Sequence, residues 1–216
     1  MRSRAVLGRL AACAAAVVVL MGAGAVSASA SAPGKTHLSS GTNNQANSSG
    51  SATKVKRKDG GGALLTSTNY GYGSIAVHIP SPVTMNALTA LNTDFEVNEG
   101  TCSGGSPRFA VVVRPPEARG SANDQTLLVY FGTQPYGGCA SQVSQTTDAT
   151  QADWWTGYGE KTFAQTLSLY DSWRLIAVEV DVDGGWDQSP DVQQVLIQNL
   201  TVGIDGTNKT YYRSSP

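Results

Sequence analysis

Val178-Glu179-Val180-Asp181-Val182-Asp183-Gly184-Gly185-Trp186 alternates aliphatic with acidic side chains for six residues and then breaks on two glycines. A period of two is the strand period, so the valines face one side and the carboxylates the other. Extended back to Trp173, the pattern places Ile176, Val178, Val180 and Val182 on the core side, with Leu175, Ala177, Glu179, Asp181 and Asp183 opposite. A strand with one apolar and one charged face belongs to a sheet that covers a core on one side only.

Working outward, similar segments recur at Gly73–Ile79, Leu88–Val97, Arg108–Val113, Thr126–Phe131 and Val192–Ile204, each rich in β-branched or aromatic residues and bounded by turn formers. Only Lys161–Tyr170 reads as a short helix. Many short strands need two facing sheets to bury their apolar sides, so the expected fold is all-β: a two-sheet β-sandwich of jelly-roll type with at most one short helix.

The ends of the chain differ from this middle. Arg2, Arg4 and Arg9 precede an apolar run over residues 10–26 and then Ala28-Ser29-Ala30, the three-part pattern of a cleavable secretory signal over residues 1–30. A secreted, extracellular protein is therefore expected, with no membrane span elsewhere. Residues 31–62 are Ser-, Asn-, Gly- and Lys-rich with few large apolar side chains, which predicts a disordered tether ending in the basic run Lys54-Val55-Lys56-Arg57-Lys58. The sandwich is then expected over residues 63–216, and as a monomer. That segment carries seven basic against fifteen acidic residues, a formal charge near −8 that argues against nucleic acid as a partner.

With the leader removed, two cysteines remain, Cys102 and Cys139, and in an exported protein a disulfide is the default. On the chain-entropy model, such a bond stabilises by about 4 kcal/mol. No His/Cys cluster has zinc spacing, and neither a nucleotide-binding fingerprint nor a nucleophile elbow is present.

Three chemistries compete for the remaining signals. Aromatic side chains in polar, glycine-containing stretches suit stacking on sugar rings, which makes Trp154, Trp155, Tyr158 and Trp186 candidates for an extracellular or cell-wall glycan, with Tyr70-Gly71-Tyr72 a further aromatic pair. Trp154 and Trp155 are neighbours, so an extended chain cannot turn both inward. The carboxylates Asp181, Asp183 and Asp187 flank a glycine turn and could ligate Ca²⁺ as a cofactor, although without EF-hand spacing. Catalysis is the third chemistry, with Glu179, Asp181 and Asp183 as its residues. The leading expectation is a non-catalytic polysaccharide-binding domain; a degenerate glycoside hydrolase and a structural cell-surface protein without small ligand are the alternatives.

Two resemblances bear on this choice. Glu179-Val180-Asp181-Val182-Asp183 resembles the E-x-D-x-E signature of laminarinase-type retaining glycosidases, which implies Glu179 as nucleophile and Asp181 as its assistant; Asp183 departs from the Glu expected as acid/base. Retaining chemistry places its two carboxyl groups about 5–5.5 Å apart, whereas residues i and i+4 of a strand lie roughly 13 Å apart at Cα. The block running from Asp94 to Phe109, with its C-x-GGSPRF core at Cys102–Phe109, is similar to one in secreted actinobacterial β-sandwich proteins. Those resemble this chain again at Cys139, Val180–Trp186 and Val195–Gly203; the likeness implies a secreted single-domain sandwich and no particular activity. Within the block, Arg108 is expected to bind carbonyls or an acid such as Asp94 or Glu96.

Overall fold

The computed structural model describes residues 32–42, 48–57, 60–80, 82–102, 105–131, 139, 142–183 and 192–214. The expected leader lies outside the described residues. Strands β1 (Thr36–Thr42), β2 (Ser49–Arg57), β3 (Gly60–Thr68) and β4 (Gly71–His78) open the fold; β5 (Leu88–Glu99), β6 (Arg108–Arg114), β7 (Gln125–Tyr130) and β8 (Ser144–Asp148) follow. The chain continues through β9 (Asp153–Thr156), β10 (Gly159–Thr162), helix α1 (Phe163–Tyr170), β11 (Arg174–Asp183), β12 (Val192–Ile204) and β13 (Thr207–Tyr211).

These strands form the expected two antiparallel sheets. One runs β1-β4-β11-β6-β7-β9-β10, and the other β2-β3-β12-β5-β8 with β13 added beside β12. Each sheet has a long late strand in its interior: β11 lies between β4 and β6, and β12 between β3 and β5. A single core fills the gap, with Val178, Val180 and Val182 of β11 facing Val195, Ile197, Leu200 and Val202 of β12, all fully buried. Phe131 packs between Phe95 and Phe109, with ring centroids 5.0 and 4.8 Å away, and ties β5 to β6 across the sandwich.

The helix is where the pattern predicts, two residues shorter at its start. Thr162 caps it by accepting from the Gln165 N–H, while Gln165 Oε1 accepts from the Thr162 N–H, a reciprocal capping box. No helix among the described residues is long and apolar enough to cross a membrane. Cys102 and Cys139 are bonded, with Cα atoms 5.2 Å apart.

The arm over residues 31–62 departs from the expected tether: it supplies β1, β2 and the start of β3. Composition misleads here because β1 and β2 are edge strands, completing ladders on sheets that already have cores. An edge strand gains a row of backbone hydrogen bonds while needing few apolar side chains of its own, and Leu38 and Ala52 are the ones that pack inward. Two linker-like glycines are structural: a Cβ on Gly41 would come within 2.7 Å of the Tyr72 ring, and one on Gly50 would strike the Tyr72 main chain. Lys209 Nζ and the Tyr211 hydroxyl donate to the Gly34 carbonyl at 2.8 and 2.5 Å, pinning the start of the arm. Lys54 and Lys56 are exposed on edge strand β2, where charge discourages pairing with another chain. With the arm included, residues 32–216 hold twelve basic and sixteen acidic residues, so the formal charge is near −4 rather than −8.

A bulge corrects the start of the alternating strand. The register of β11 against β6 shifts between Leu175 and Ala177, so Leu175 enters the core at 1% exposure while Ile176 is only half-buried. From Val178 onward the alternation holds.

Candidate functional site

Antiparallel registry carries the acidic row of β11 onto the outer face of the seven-stranded sheet. Asp181 sits opposite Ser74 of β4 and Arg108 of β6; Ser74 lies opposite Ser39, and Arg108 opposite Tyr130. One pleat along, Glu179 is flanked by Ala76 and Ala110, and Ala110 leads to Leu128 and then Trp155. Asp183 faces Tyr72, which lies opposite Gly41. The small residues Ala76 and Ala110 leave the middle of this face low, and a cleft of about 350 Å³ results, lined by Ser39, Tyr72, Ser74, Arg108, Glu179, Asp181 and Asp183.

Arg108 organises one wall. Its two terminal nitrogens donate to the two oxygens of Asp183, both at 2.6 Å, and Nη1 also donates to the Gly105 carbonyl at 3.0 Å. The expected acid partners Asp94 and Glu96 are on the other sheet, so Asp183 replaces them. Burial opposes the charge on Arg108, but the hydrogen bonds and field of Asp183, with Asp181 adding to them, hold it protonated. Asp183 is itself anchored: its N–H donates to Ser106 Oγ at 2.9 Å, and that hydroxyl donates to Gln193 Oε1 at 2.5 Å. Gln193 Nε2 then binds the Thr101 and Ser106 carbonyls at 2.6 and 3.1 Å. This buried chain fixes the loop before β6 against β12 and sets the guanidinium fork in place.

Glu179 and Asp181 have no such partners. Among the described residues no hydrogen bond reaches either carboxylate, and Arg108 acts on Asp181 only through its field. Burial pushes Glu179 above the usual carboxylate range. Burial also drives Asp181, further raised by Glu179 and Asp183 and only partly restrained by Arg108, up to about 7. On the opposite wall Ser39 Oγ and Ser74 Oγ share a 2.6 Å hydrogen bond.

Aromatic rings flank the acids. Tyr72 leans over Gly41 on one side. On the other, Tyr130 leans over Gly105, whose φ of +84° and whose 2.9 Å from an added Cβ to the ring both favour glycine. Trp155 stands 6.3 Å from the Tyr130 ring. From β4 to β9 these rings span four strand spacings, roughly 19 Å.

The expected aromatic set is thus partly redrawn. Trp154 is no ligand residue: it is fully buried, its indole N–H donates to the Ala149 carbonyl at 2.7 Å, and its ring packs 5.4 Å from Phe163. Strand alternation turns Trp155 the other way, onto the outer face. Tyr158 is 63% exposed in the turn between β9 and β10 and does not line the cleft. Trp186 and Asp187 lie outside the described residues. Asp183, expected as a metal ligand or catalytic carboxylate, lies in the cleft with both its oxygens bonded to Arg108. Among the described residues no three His, Cys, Asp or Glu side chains are grouped to hold a metal.

Tyr130 and the Arg108–Asp183 pair escaped the sequence reading, and Tyr72 was noted without a place. Their signal was the outward phase of their strands, which becomes legible only once registry is known. A larger depression of about 670 Å³ lies along the β6–β7 loop, but no aromatic lines it, and its Asp124 is taken by Arg114 at 2.5 and 2.7 Å.

No family model and no curated protein matches the chain. Among solved structures it is similar to the family 11 carbohydrate-binding module of cellulosomal cellulase Lic26A-Cel5E of Clostridium thermocellum, at TM-score 0.46 and 12% identity over 78% of this chain and 87% of that one. A family 11 module from Clostridium thermocellum in complex with a β-1,3-1,4-mixed-linked tetrasaccharide gives TM-score 0.45 and 12% identity, over 84% and 91%.

Proposed function

We propose that the protein is a secreted, non-catalytic module that binds an extracellular polysaccharide along the outer face of its seven-stranded sheet. One observation carries the reading: a cleft lined by Tyr72, hydroxyls and unpartnered carboxylates, with Tyr130 and Trp155 further along the same sheet face, beyond the cleft's own lining. Rings stack on the apolar faces of sugars, and polar groups between them fix the hydroxyls. This reading draws on the rings and polar groups of the cleft and calls for no calcium.

The hydrolase reading has an observation of its own in the raised Glu179 and Asp181. With Asp183 occupied, these two remain, next but one on a single strand with Cα atoms roughly 6.6 Å apart. The tether-based reading loses its main support with residues 36–42 and 49–57 paired into the sheets.

The test is depletion of the mature protein by insoluble cellulose, xylan, chitin, β-1,3-glucan and bacterial cell wall, with sugar release assayed in the supernatant. Depletion without released sugar is expected, unchanged by chelator and weakened about tenfold or more by Trp155→Ala. Sugar release that disappears in Glu179→Gln establishes the hydrolase instead.

A further inference from the structure

We propose that the cleft selects a cationic glycan, holding the free ammonium of an amino sugar between Glu179 and Asp181 while the flanking rings stack on the sugar chain. The inference rests on the polysaccharide-binding reading and names the ligand class for that same site.

The argument is one of charge and satisfied bonds. The cleft holds one cation, Arg108, and three carboxylates, Glu179, Asp181 and Asp183. Arg108 and Asp183 neutralise each other in a two-pronged contact. Facing Asp181 from the other elements are Ser74 and Tyr72 of β4, Ser39 of β1 and, from β6, Arg108, the one cation among them, whose two terminal nitrogens are bonded to Asp183 and which reaches Asp181 only through its field. One guanidinium against three carboxylates leaves the cleft with an excess of two negative charges, no hydrogen-bond donor reaches Glu179 or Asp181 among the described residues, and Asp181 is mostly enclosed.

Buried carboxylates need both donors and charge compensation. The hydroxyls of a neutral sugar supply donors alone. An ammonium supplies three donors and the missing charge in one group, with tyrosine rings nearby to favour a cation. A uronic acid would add a third unpaired anion and is excluded by repulsion. Burial already holds Asp181 up at about 7, so a bound cation draws its proton off, and capture is coupled to proton release.

Isothermal titration calorimetry at about pH 5.5, where the amine is already protonated and Asp181 still carries its proton, compares four probes. They are the β-1,4-linked tetramers of glucosamine, N-acetylglucosamine and glucose, and tetralysine. The glucosamine tetramer is expected to bind about tenfold or more tighter than the other three, with proton release visible as a buffer-dependent heat. That preference should shrink to about threefold or less in half-molar salt, in Asp181→Asn, and in Glu179→Gln, two variants that reach the same outcome independently should one fail to fold. A neutral tetramer binding as tightly as the amine overturns the inference and leaves the polysaccharide-binding reading standing. Tetralysine binding as tightly as the amino sugar overturns it as a sugar site. If none of the oligomers binds and no polysaccharide depletes the protein, both readings fall together.

Discussion

The sandwich has two outer faces, each with an aspartate on a long strand, and the two aspartates have opposite fates. On the six-stranded sheet, Asp94 of β5 accepts from Thr146 Oγ1 and from Asn199 Nδ2, both at 2.6 Å, and Asn199 in turn accepts the Ser214 N–H at 3.0 Å. Nearby, Thr201 and Thr210 share a 2.9 Å hydrogen bond. That face is polar and closed upon itself. On the seven-stranded sheet, Asp181 of β11 lies between Ser74 and an Arg108 already bonded to Asp183, and no hydrogen-bond donor reaches it among the described residues. Polarity on an outer strand face is ordinary; polarity left unsatisfied beneath the rim of a cleft marks the side that waits for a ligand.

This contrast can be broken in a graded way. The largest effect belongs to Asp181. A carboxyl raised from 3.8 to about 7 in the folded state binds its proton more tightly there than when unfolded. Stability is therefore greatest below about pH 4 and falls as pH rises toward 7, by up to about 4 kcal/mol for this group. Asp181→Asn should flatten that slope and melt higher than the parent at pH 8, as thermal scans at pH 4, 6 and 8 will record. An unchanged slope means that Asp181 is not desolvated.

Arg108→Leu comes next. It strands Asp183, which is 8% exposed, without its partner, and unfolding in urea should show a loss of about 3 kcal/mol. Asp94→Ala, which removes the acceptor for Thr146 and Asn199, should cost about 2 kcal/mol in the same urea titration. Smallest in stability is Gly41→Ala, expected to cost about 1 kcal/mol as the Tyr72 ring is pushed aside. Its informative readout is glycan affinity, which should drop together with that of Tyr72→Ala.

Much of this architecture was legible before any coordinates. The valine–acid alternation from Val178 to Asp183 identifies a strand, its core side and its wet side, because a period of two depends only on local geometry. The neighbours Trp154 and Trp155 separate to opposite faces for the same reason, but the sequence does not say which turns inward; that depends on whether Trp154 finds Ala149 as an acceptor and Phe163 as a packing partner. What stayed hidden was non-local. Ser39, Tyr72, Arg108 and Tyr130 are far apart in the chain and become one site only through the order β1-β4-β11-β6-β7. The edge strands β1 and β2 escaped for a related reason: their stability comes from ladders offered by other strands, so a Ser- and Gly-rich composition that cannot form a core of its own can still complete one.

The most direct test of the account is a side-by-side binding isotherm on whichever polysaccharide depletes the parent protein, using Trp155→Ala for the seven-stranded face and Asp94→Ala for the six-stranded face. The account predicts that Trp155→Ala weakens binding about tenfold or more while Asp94→Ala stays within about twofold of the parent. Equal losses in the two variants, or a loss confined to Asp94→Ala, would contradict it.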